Sequence, residues 1–467
     1  MSPDPLAVVR ELAPGGYLVG GAVRDRLLDR ATADYDVASA DEPRSLARAL
    51  GRRLDAHPFE LSEGFGAWRV VARDHSWQID LLPLLEGRIE TDLGQRDLTV
   101  NAIAQRLDDG ELVDPFGGQD DLAARRLRMV SADVFGADPL RALRTARLAC
   151  ELAFDVEPET ARAARHDAEG LASVAPERIF AELRRVLASD RAVAGLELME
   201  SLGVTAVILP ELDALRGVRQ SPFHHLDVYE HTHAVLASTI ELQADPERWF
   251  PGRGAALLAL LAAPLTGELS RGEAMRFGAL LHDIAKPQTR AVSEDGRTTF
   301  MGHDMQGASI AVDILSRLRA SQRLRDHVAA LTRHHLRLGF LVHRMPLDRR
   351  DTYRYLATCE PVEVDVTVLS VADRLATRGR NSEVAIERHL TLAREMLGDA
   401  LVWQERRPRP PLRGDELVRE LGARPGPWLG RLLGELEEAA YAGEISTHEQ
   451  ALARARELTA GDPVIDR

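Results

Sequence analysis

GGYLVGGAVRDRLLDRATADYDVAS, Gly15 to Ser39, decides how this chain is read. Tyr17–Val19 predicts a short strand that ends on Gly20-Gly21, and a helix carrying Arg24 and Asp25 follows. Paired glycines at a strand-to-helix turn let backbone amides approach a phosphate, and a helix start favours an anion. Arg24, one turn in, adds charge-assisted bonds. Taken alone, such a turn more often only meets a need for positive φ. Asp34-Tyr35-Asp36 reverses that balance. Residues two apart in a strand face one side. Two carboxylates there repel unless a cation lies between them. Mg2+ accepts one or two protein carboxylates and leaves positions for substrate phosphates. Asp80, in WQIDLL, is the candidate third carboxylate from a neighbouring strand.

Outward from this stretch, Trp68–Ala72, Gln78–Leu82 and Val100–Gln105 are further strand candidates. From Asp138 onward the spacing of apolar residues is helical, as in RALRTARLACELAF and ERIFAELRRVLA. Breaks are expected near Ser221–Pro222 and Asp245–Gly254, and Arg406–Pro411 (RRPRPP) reads as a stiff linker. The expected fold class is α+β: a head with a small mixed sheet, then helical modules.

The chain has 467 residues, enough for two to four domains. Its net charge of −14 argues against a protein that coats nucleic acid with uniform positive charge. The average hides two basic stretches. Residues 125–147 hold six arginines against two aspartates, and residues 314–350 hold nine against two. Both suit a nucleic-acid backbone. Cys150 and Cys359 are too few for a disulfide framework or a cysteine zinc site. The N-terminus lacks the pattern of a signal peptide and no apolar run is long enough to span a bilayer. A cytoplasmic location, no membrane and no DNA partner are expected. Lys286 is the only lysine.

Two further groups carry chemistry. Asp138, Arg141, Arg144 and Arg147 recur every three residues, so they share one helix face. An acceptor carboxylate beside guanidinium donors can pair with base edges. The bland alternative is a solvated salt-bridge face. Between residues 222 and 374, histidines gather: His224, His225, His231, His233, His282, His303, His334 and His335, with Asp283 and Asp373. In LLHDIAKP an apolar run delivers adjacent His282 and Asp283 to a buried end, and first-row metals accept this nitrogen and oxygen mixture.

GGAVRD followed by DYD resembles the class II tRNA nucleotidyltransferase/poly(A) polymerase family, of the bacterial CCA-adding type, within the polymerase-β-like superfamily. GQRDLTVNAIA (Gly94–Ala104), LVDPFGGQDDLAARRLRMV (Leu112–Val130), ADPLRALRTARLA (Ala137–Ala149) and PERIFAELRRVL (Pro176–Leu187) resemble its later motifs in order. Gln95, Leu98 and Ala137 depart from them. The resemblance implies nucleotide transfer from CTP and ATP to the 3′ end of tRNA. An A-adding, CC-adding or poly(A)-forming relative stays open. Asp34 and Asp36 would hold Mg2+, with Asp80 as the third catalytic carboxylate. Gly20, Gly21, Arg24, Arg96, Asp97 and Asn101 would bind the nucleotide. Asp138 and Arg141 would select the base, supported by Arg144 and Arg147.

The histidine succession resembles the HD phosphohydrolase superfamily. It implies a divalent transition metal on His231, His282, Asp283 and Asp373. His303 with His334 or His335 would serve a second ion, and Lys286 would bind phosphate. Hydrolysis of a phosphoester and a role confined to gripping RNA both stay open. Leu412–Ala455 resembles the C-terminal segment of bacterial members. The expected layout is a head over 1–135, a helical neck over 136–215, an HD domain over 216–400 and a tRNA-contacting segment over 401–467.

Overall fold

The computed structural model describes residues 4–62, 66–220, 225–267, 269–294, 296–378, 382–407, 409 and 411–460. Ser221, Pro222 and His224, named above, lie outside the described residues, as do Pro408 and Pro410 of the expected linker. The chain forms two compact units, residues 1–208 and 209–467.

The first unit is built on a seven-stranded mixed sheet. Its strands are β1 (Tyr17–Val19), β2 (Asp34–Ser39), β3 (His57–Ser62), β4 (Ala67–Val71), β5 (Gln78–Pro83), β6 (Ala104–Arg106) and β7 (Leu112–Val113), in the order β3-β4-β5-β2-β1-β6-β7. β1 and β2 are antiparallel, with the helix α1 (Gly21–Leu27) in the connection. β2 and β5 are parallel, with Asp36 beside Asp80 and Asp34 beside Gln78. β4 sets Arg69 opposite Asp80 and Val71 opposite Gln78. This register gathers one polar row on one sheet face. Val37, Ile79, Leu81 and Val70 fill the core behind it. Helix α2 (Leu140–Leu152) adds Leu148, Ala149 and Leu152 to that core and packs on α3 (Pro176–Ala188).

The expected strand over Val100–Gln105 is only partly formed. Thr99–Asn101 makes a 3-10 turn, and the strand is confined to Ala104–Arg106. The Asn101 and Ala102 amides bond back to the Leu98 and Thr99 carbonyls, while the Thr99 hydroxyl donates to buried Asp121 at 2.7 Å. These local bonds outcompete a ladder.

Among its described residues, the second unit is helical apart from one small two-stranded hairpin. Helix α4 (Val228–Ala244) packs against α5 (Arg271–Leu281) and α8 (Glu363–Ala376); α6 (His303–Arg317) packs against α7 (Gln322–His334). α9 (Ser382–Glu405) lies against α8. Capping boxes at Asp227/Glu230 and Ser270/Glu273 fix where α4 and α5 begin. Trp428, Leu432 and Leu436 join Leu412 and Leu417 in a separate small core near the C-terminus. No helix among the described residues is long and apolar enough to cross a membrane.

Candidate active site and metal centre

The first site opens where β1, β2 and α2 meet. A cavity of about 650 Å³ is lined by Gly20, Gly21, Arg24, Asp34, Asp36, Arg96, Asp97, Asn101, Arg141, Arg144 and Arg147, among others. Eleven residues singled out from the sequence thus converge. Gly20 has φ +70°, and a Cβ there would sit 2.5 Å from Arg96 Nη1 and 3.1 Å from Asp36 Oδ2. Its lack of a side chain is what lets cation and carboxylate close over the turn. α1 has only seven residues, so positive charge at this turn comes from arginines more than from a helix end.

Those arginines are held in place. Arg24 Nη1 donates to Asn101 Oδ1 at 2.7 Å, and Asn101 Nδ2 donates to Asp97 Oδ1 at 2.9 Å. Arg96 bonds Asp92 one helical turn away. Asp97 is buried; burial raises its pKa, but Arg144 and the Asn101 bond outweigh this and hold it below the usual range. Arg144 lies 3.5 Å from Asp97 Oδ2 and donates Nε to Glu182 at 3.1 Å. Glu182 also accepts from Arg147, which reaches Glu151 at 2.6 Å, and Glu151 takes Arg185 at 2.8 Å. Glu182 and Arg185 line the cavity and were not singled out from the sequence. The signal was present: ERIFAELRR places Glu182 one turn C-terminal to Arg178 on α3, facing the arginine stripe of α2.

The carboxylates behave unequally. The Asp36 carboxylate accepts no hydrogen bond among the described residues. Its pKa is pushed up to about 6, by burial first and then by Asp34 and Asp80 against the pull of Arg96. A pair in that state fits a divalent cation, which would neutralise both members. Asp34 is exposed and accepts from Gln78 Nε2 at 2.9 Å. Asp80 sits beside Asp36, yet both its oxygens are taken by Arg69, at 2.6 and 2.7 Å. Asp138 does not line the cavity; its Oδ2 accepts from Arg178 at 2.8 Å. Arg141 lines it but spends Nη1 and Nη2 on the carbonyls of Val134 and Gln95.

The second site gathers at helix ends. His282 ends α5, His303 starts α6 after Gly302 (φ +78°), and His335 ends α7. His231 lies in the first turn of α4 and Asp373 in the last turn of α8. Asp283 joins two groups whose ligand atoms all lie within 4.8 Å: His231, His282 and Asp283, and Asp283, His303 and His335. His231 Nε2 also lies 3.0 Å from Asp373 Oδ1. The Nδ1 atoms of His282, His303 and His335 donate to the carbonyls of Ala279, Phe300 and Thr332 at 2.8, 2.7 and 2.6 Å. A carbonyl only accepts, so each neutral ring has a bare Nε2 directed inward. His303 and His335 bring these lone pairs to 3.3 Å.

Both Asp283 oxygens are buried: Oδ2 meets Lys286 Nζ at 2.6 Å and His282 Nε2 at 3.1 Å, and Oδ1 meets His303 Nε2 at 3.3 Å. Burial, with His282 and His303, pushes His335 down to about 4. Burial alone would raise Asp283, but His282 and Lys286 hold it well below the usual carboxylate range. Burial would lower His282, but Asp283 raises it; imidazoles oriented by backbone carbonyls around an ionised carboxylate fit a divalent metal, which would take the place of that proton, and the sharing of Asp283 fits two.

His334 lies outside this cluster and accepts from Arg337 Nε at 2.8 Å. His233 bonds the Tyr229 carbonyl, and His225 is exposed. Lys286 Nζ contacts Asp283 Oδ2 and Gln220 Oε1, both at 2.6 Å. A cavity of about 770 Å³ opens onto Asp283, His303, His335 and Asp373, with Phe300, Phe340 and Val342 on its apolar walls. His389 lines it too, bonded to Ser370 at 3.0 Å; a lone histidine in a long helix gave no sequence signal. Cys150 and Cys359 are buried, their thiols pushed up to about 11 and about 12 by burial.

Three family models match the chain: the poly A polymerase head domain over residues 16–84 and 82–128, the probable RNA and SrmB-binding site of polymerase A over 153–216, and the HD domain over 228–378. The chain is 39% identical to an A-adding tRNA nucleotidyltransferase of Deinococcus radiodurans, over 94% of each chain. It is 37% identical to a CC-adding tRNA nucleotidyltransferase of Thermus thermophilus, over 94% of this chain and 92% of that one. It is 35% identical to the multifunctional CCA protein of Paracidovorax citrulli, over 68% of this chain and 73% of that one. In fold it is similar to a Thermotoga maritima CCA-adding enzyme solved in complex with tRNA, at a TM-score of 0.62 and 19% identity, covering 98% and 96% of the two chains. The ordered motifs, their convergence on one cavity and the near full-length identity place the chain in the tRNA nucleotidyltransferase/poly(A) polymerase family, as a nucleotidyltransferase carrying an HD domain.

Proposed function

We propose that the chain adds or repairs the 3′-CCA end of tRNA, taking nucleotides from CTP and ATP. The observation that carries this reading is the Asp34/Asp36 pair in the wall of a cavity also lined by Arg24, Arg96, Arg141, Arg144, Arg147 and Arg185. Mg2+ held by Asp34 and Asp36, when bound, would acidify the RNA 3′-hydroxyl and stabilise the leaving oxygen. The chain's own residues do the rest. Arg24 and Arg96 flank the Gly20–Gly21 turn and bind the triphosphate. Asp97 and Asn101 fix Arg24 and Arg144. Arg69 neutralises Asp80, which lowers repulsion on Asp36. The 3′-oxygen bonds to the α-phosphorus, the bond to the bridging oxygen breaks, and pyrophosphate leaves with the hydroxyl proton passed to solvent. Base selection by Asp138 and Arg141 requires Asp138 to exchange Arg178 for the base edge, and Arg141 to leave a carbonyl. The working layout is a head, neck, HD domain and tRNA-contacting C-terminal segment, in a soluble cytoplasmic enzyme.

Two relatives that match nearly full length differ in what they add, one being A-adding and the other CC-adding. Incubation with tRNA ending at the discriminator base, or at CC, with CTP and ATP separately and together, assigns this chain among the three. Addition of C, C and A supports the full activity; A on a CC end alone, or CC alone, assigns a specialised member.

A second reading concerns the other unit. The inward Nε2 atoms and buried Asp283 support a metal-dependent phosphohydrolase, with Lys286 and Arg374 near the phosphate. Metal analysis of the purified protein and assays on 2′,3′-cyclic and 2′-phosphates test it. Full metal loading without hydrolysis would leave the RNA-gripping role.

A further inference from the structure

We propose that Lys286, tethered by Gln220, is a fixed counter-cation of the second site: it holds a metal's place on Asp283 and keeps that metal exchangeable. The inference rests on reading His231, His282 and Asp283 as metal ligands. Lys286 is 7% exposed, and its Nζ forms an ion pair with Asp283 Oδ2 at 2.6 Å. The same oxygen lies 3.1 Å from His282 Nε2 and 3.6 Å from His231 Nε2. The carboxylate oxygen that meets two candidate nitrogen ligands is therefore already bonded to a full positive charge. A lysine kept only for substrate phosphate would hold its ammonium free. This one donates to Gln220 Oε1 at 2.6 Å and lies 5.4 Å from the centre of the Phe300 ring.

The tether leads back to a ligand-bearing helix. Gln220 Nε2 donates to the carbonyls of Leu226 and Asp227, both at 3.4 Å. Asp227 caps α4, which carries His231. The ammonium is thus held from the side of the protein that also sets a candidate ligand. Charges in so buried a place are weakly screened. In the empty site Lys286 compensates Asp283, which would otherwise be a buried carboxylate facing only imidazoles. In the filled site the ammonium and a divalent ion share one carboxylate and repel. The empty state is lowered and the filled state is raised, so both effects weaken the hold on the metal.

The test titrates Mn2+ into the full chain after stripping with EDTA, by calorimetry, with thermal melts alongside. The Asp34→Ala/Asp36→Ala background removes the carboxylate pair of the first site. In it, Lys286→Met is expected to bind Mn2+ about tenfold more tightly. The same variant should melt lower than its parent without metal and gain more from saturating Mn2+. Gln220→Glu keeps the side-chain volume and sets a carboxylate on the ammonium, so it is expected to tighten Mn2+ about threefold. It carries the test alone should Lys286→Met fail to fold. Unchanged or weaker Mn2+ binding in the folded variant would overturn the counter-cation role. A loss of inorganic phosphate binding to the Mn2+-loaded protein, with Mn2+ affinity unmoved, would overturn it in favour of a phosphate ligand. Mn2+ binding retained after His282→Ala/Asp283→Ala would instead overturn the reading of the metal centre beneath it.

Discussion

Asp36 is the residue on which the head chemistry turns, and its environment makes a signed prediction. Its folded pKa of about 6 lies above that of an unfolded aspartate, so the ionised form is disfavoured in the fold. Without a cation, its contribution to stability is full at low pH and is lost as pH rises through about 6. Asp36→Asn removes that cost. In EDTA the variant should be more stable than the wild type at pH 7 by about 2 kcal/mol after allowing for solvent screening. The difference should vanish by pH 4. Denaturant melts at the two pH values check this. The Asp34/Asp36 pair was legible because it is local: strand alternation alone puts both on one side. The occupancy of Asp80 was not legible. Its partner Arg69 comes from an adjacent strand, and only the register of β4 on β5 shows that the third carboxylate is already neutralised.

At the scale of elements, the stripe on α2 is neither the solvated salt-bridge face nor a free row of base-reading groups. Arg144 and Arg147 are joined to α3 by Glu182, and Arg147 is nearly inaccessible. Glu182→Ala leaves that guanidinium with one partner fewer in a buried place. It should destabilise the first unit by ~3 kcal/mol and raise KM for the nucleotide as Arg144 loses its tether. Glu182→Gln, which keeps the volume and one acceptor, should recover much of the stability. Chemical denaturation with steady-state kinetics measures both. Three-residue periodicity revealed the face of α2, but not what covers it, because the covering side chain belongs to another helix. The same limit explains the segment over Val100–Gln105. Its β-branched and apolar residues suggested a strand, while bonds from Thr99 to Asp121 and along the 3-10 turn were invisible without the fold.

Across the whole molecule, two candidate sites sit in two compact units. Asp34→Ala/Asp36→Ala should abolish incorporation while leaving the metal content of the second unit unchanged. His282→Ala/Asp283→Ala should deplete that metal, read by elemental analysis, and leave incorporation on short acceptor helices intact. The gathering of the histidines was legible because helix ends bring their side chains together at recognisable motifs. The choice of His335 over His334 was not, since adjacent residues at a helix terminus point about 100° apart and only the packed helices decide between them. The lone lysine turned out to be fixed on Asp283 and Gln220, inside the second site.

The central claim is that the Asp34/Asp36 pair transfers nucleotides to a tRNA 3′ end. Its most direct measurement is incorporation of labelled CTP and ATP into tRNA lacking the CCA end, with Mg2+, by the wild type and by Asp34→Ala/Asp36→Ala side by side. The account predicts discrete additions at the 3′ end by the wild type and none by the variant. Equal incorporation by both proteins, or none by the wild type on tRNA ending at the discriminator base or at CC, would contradict it.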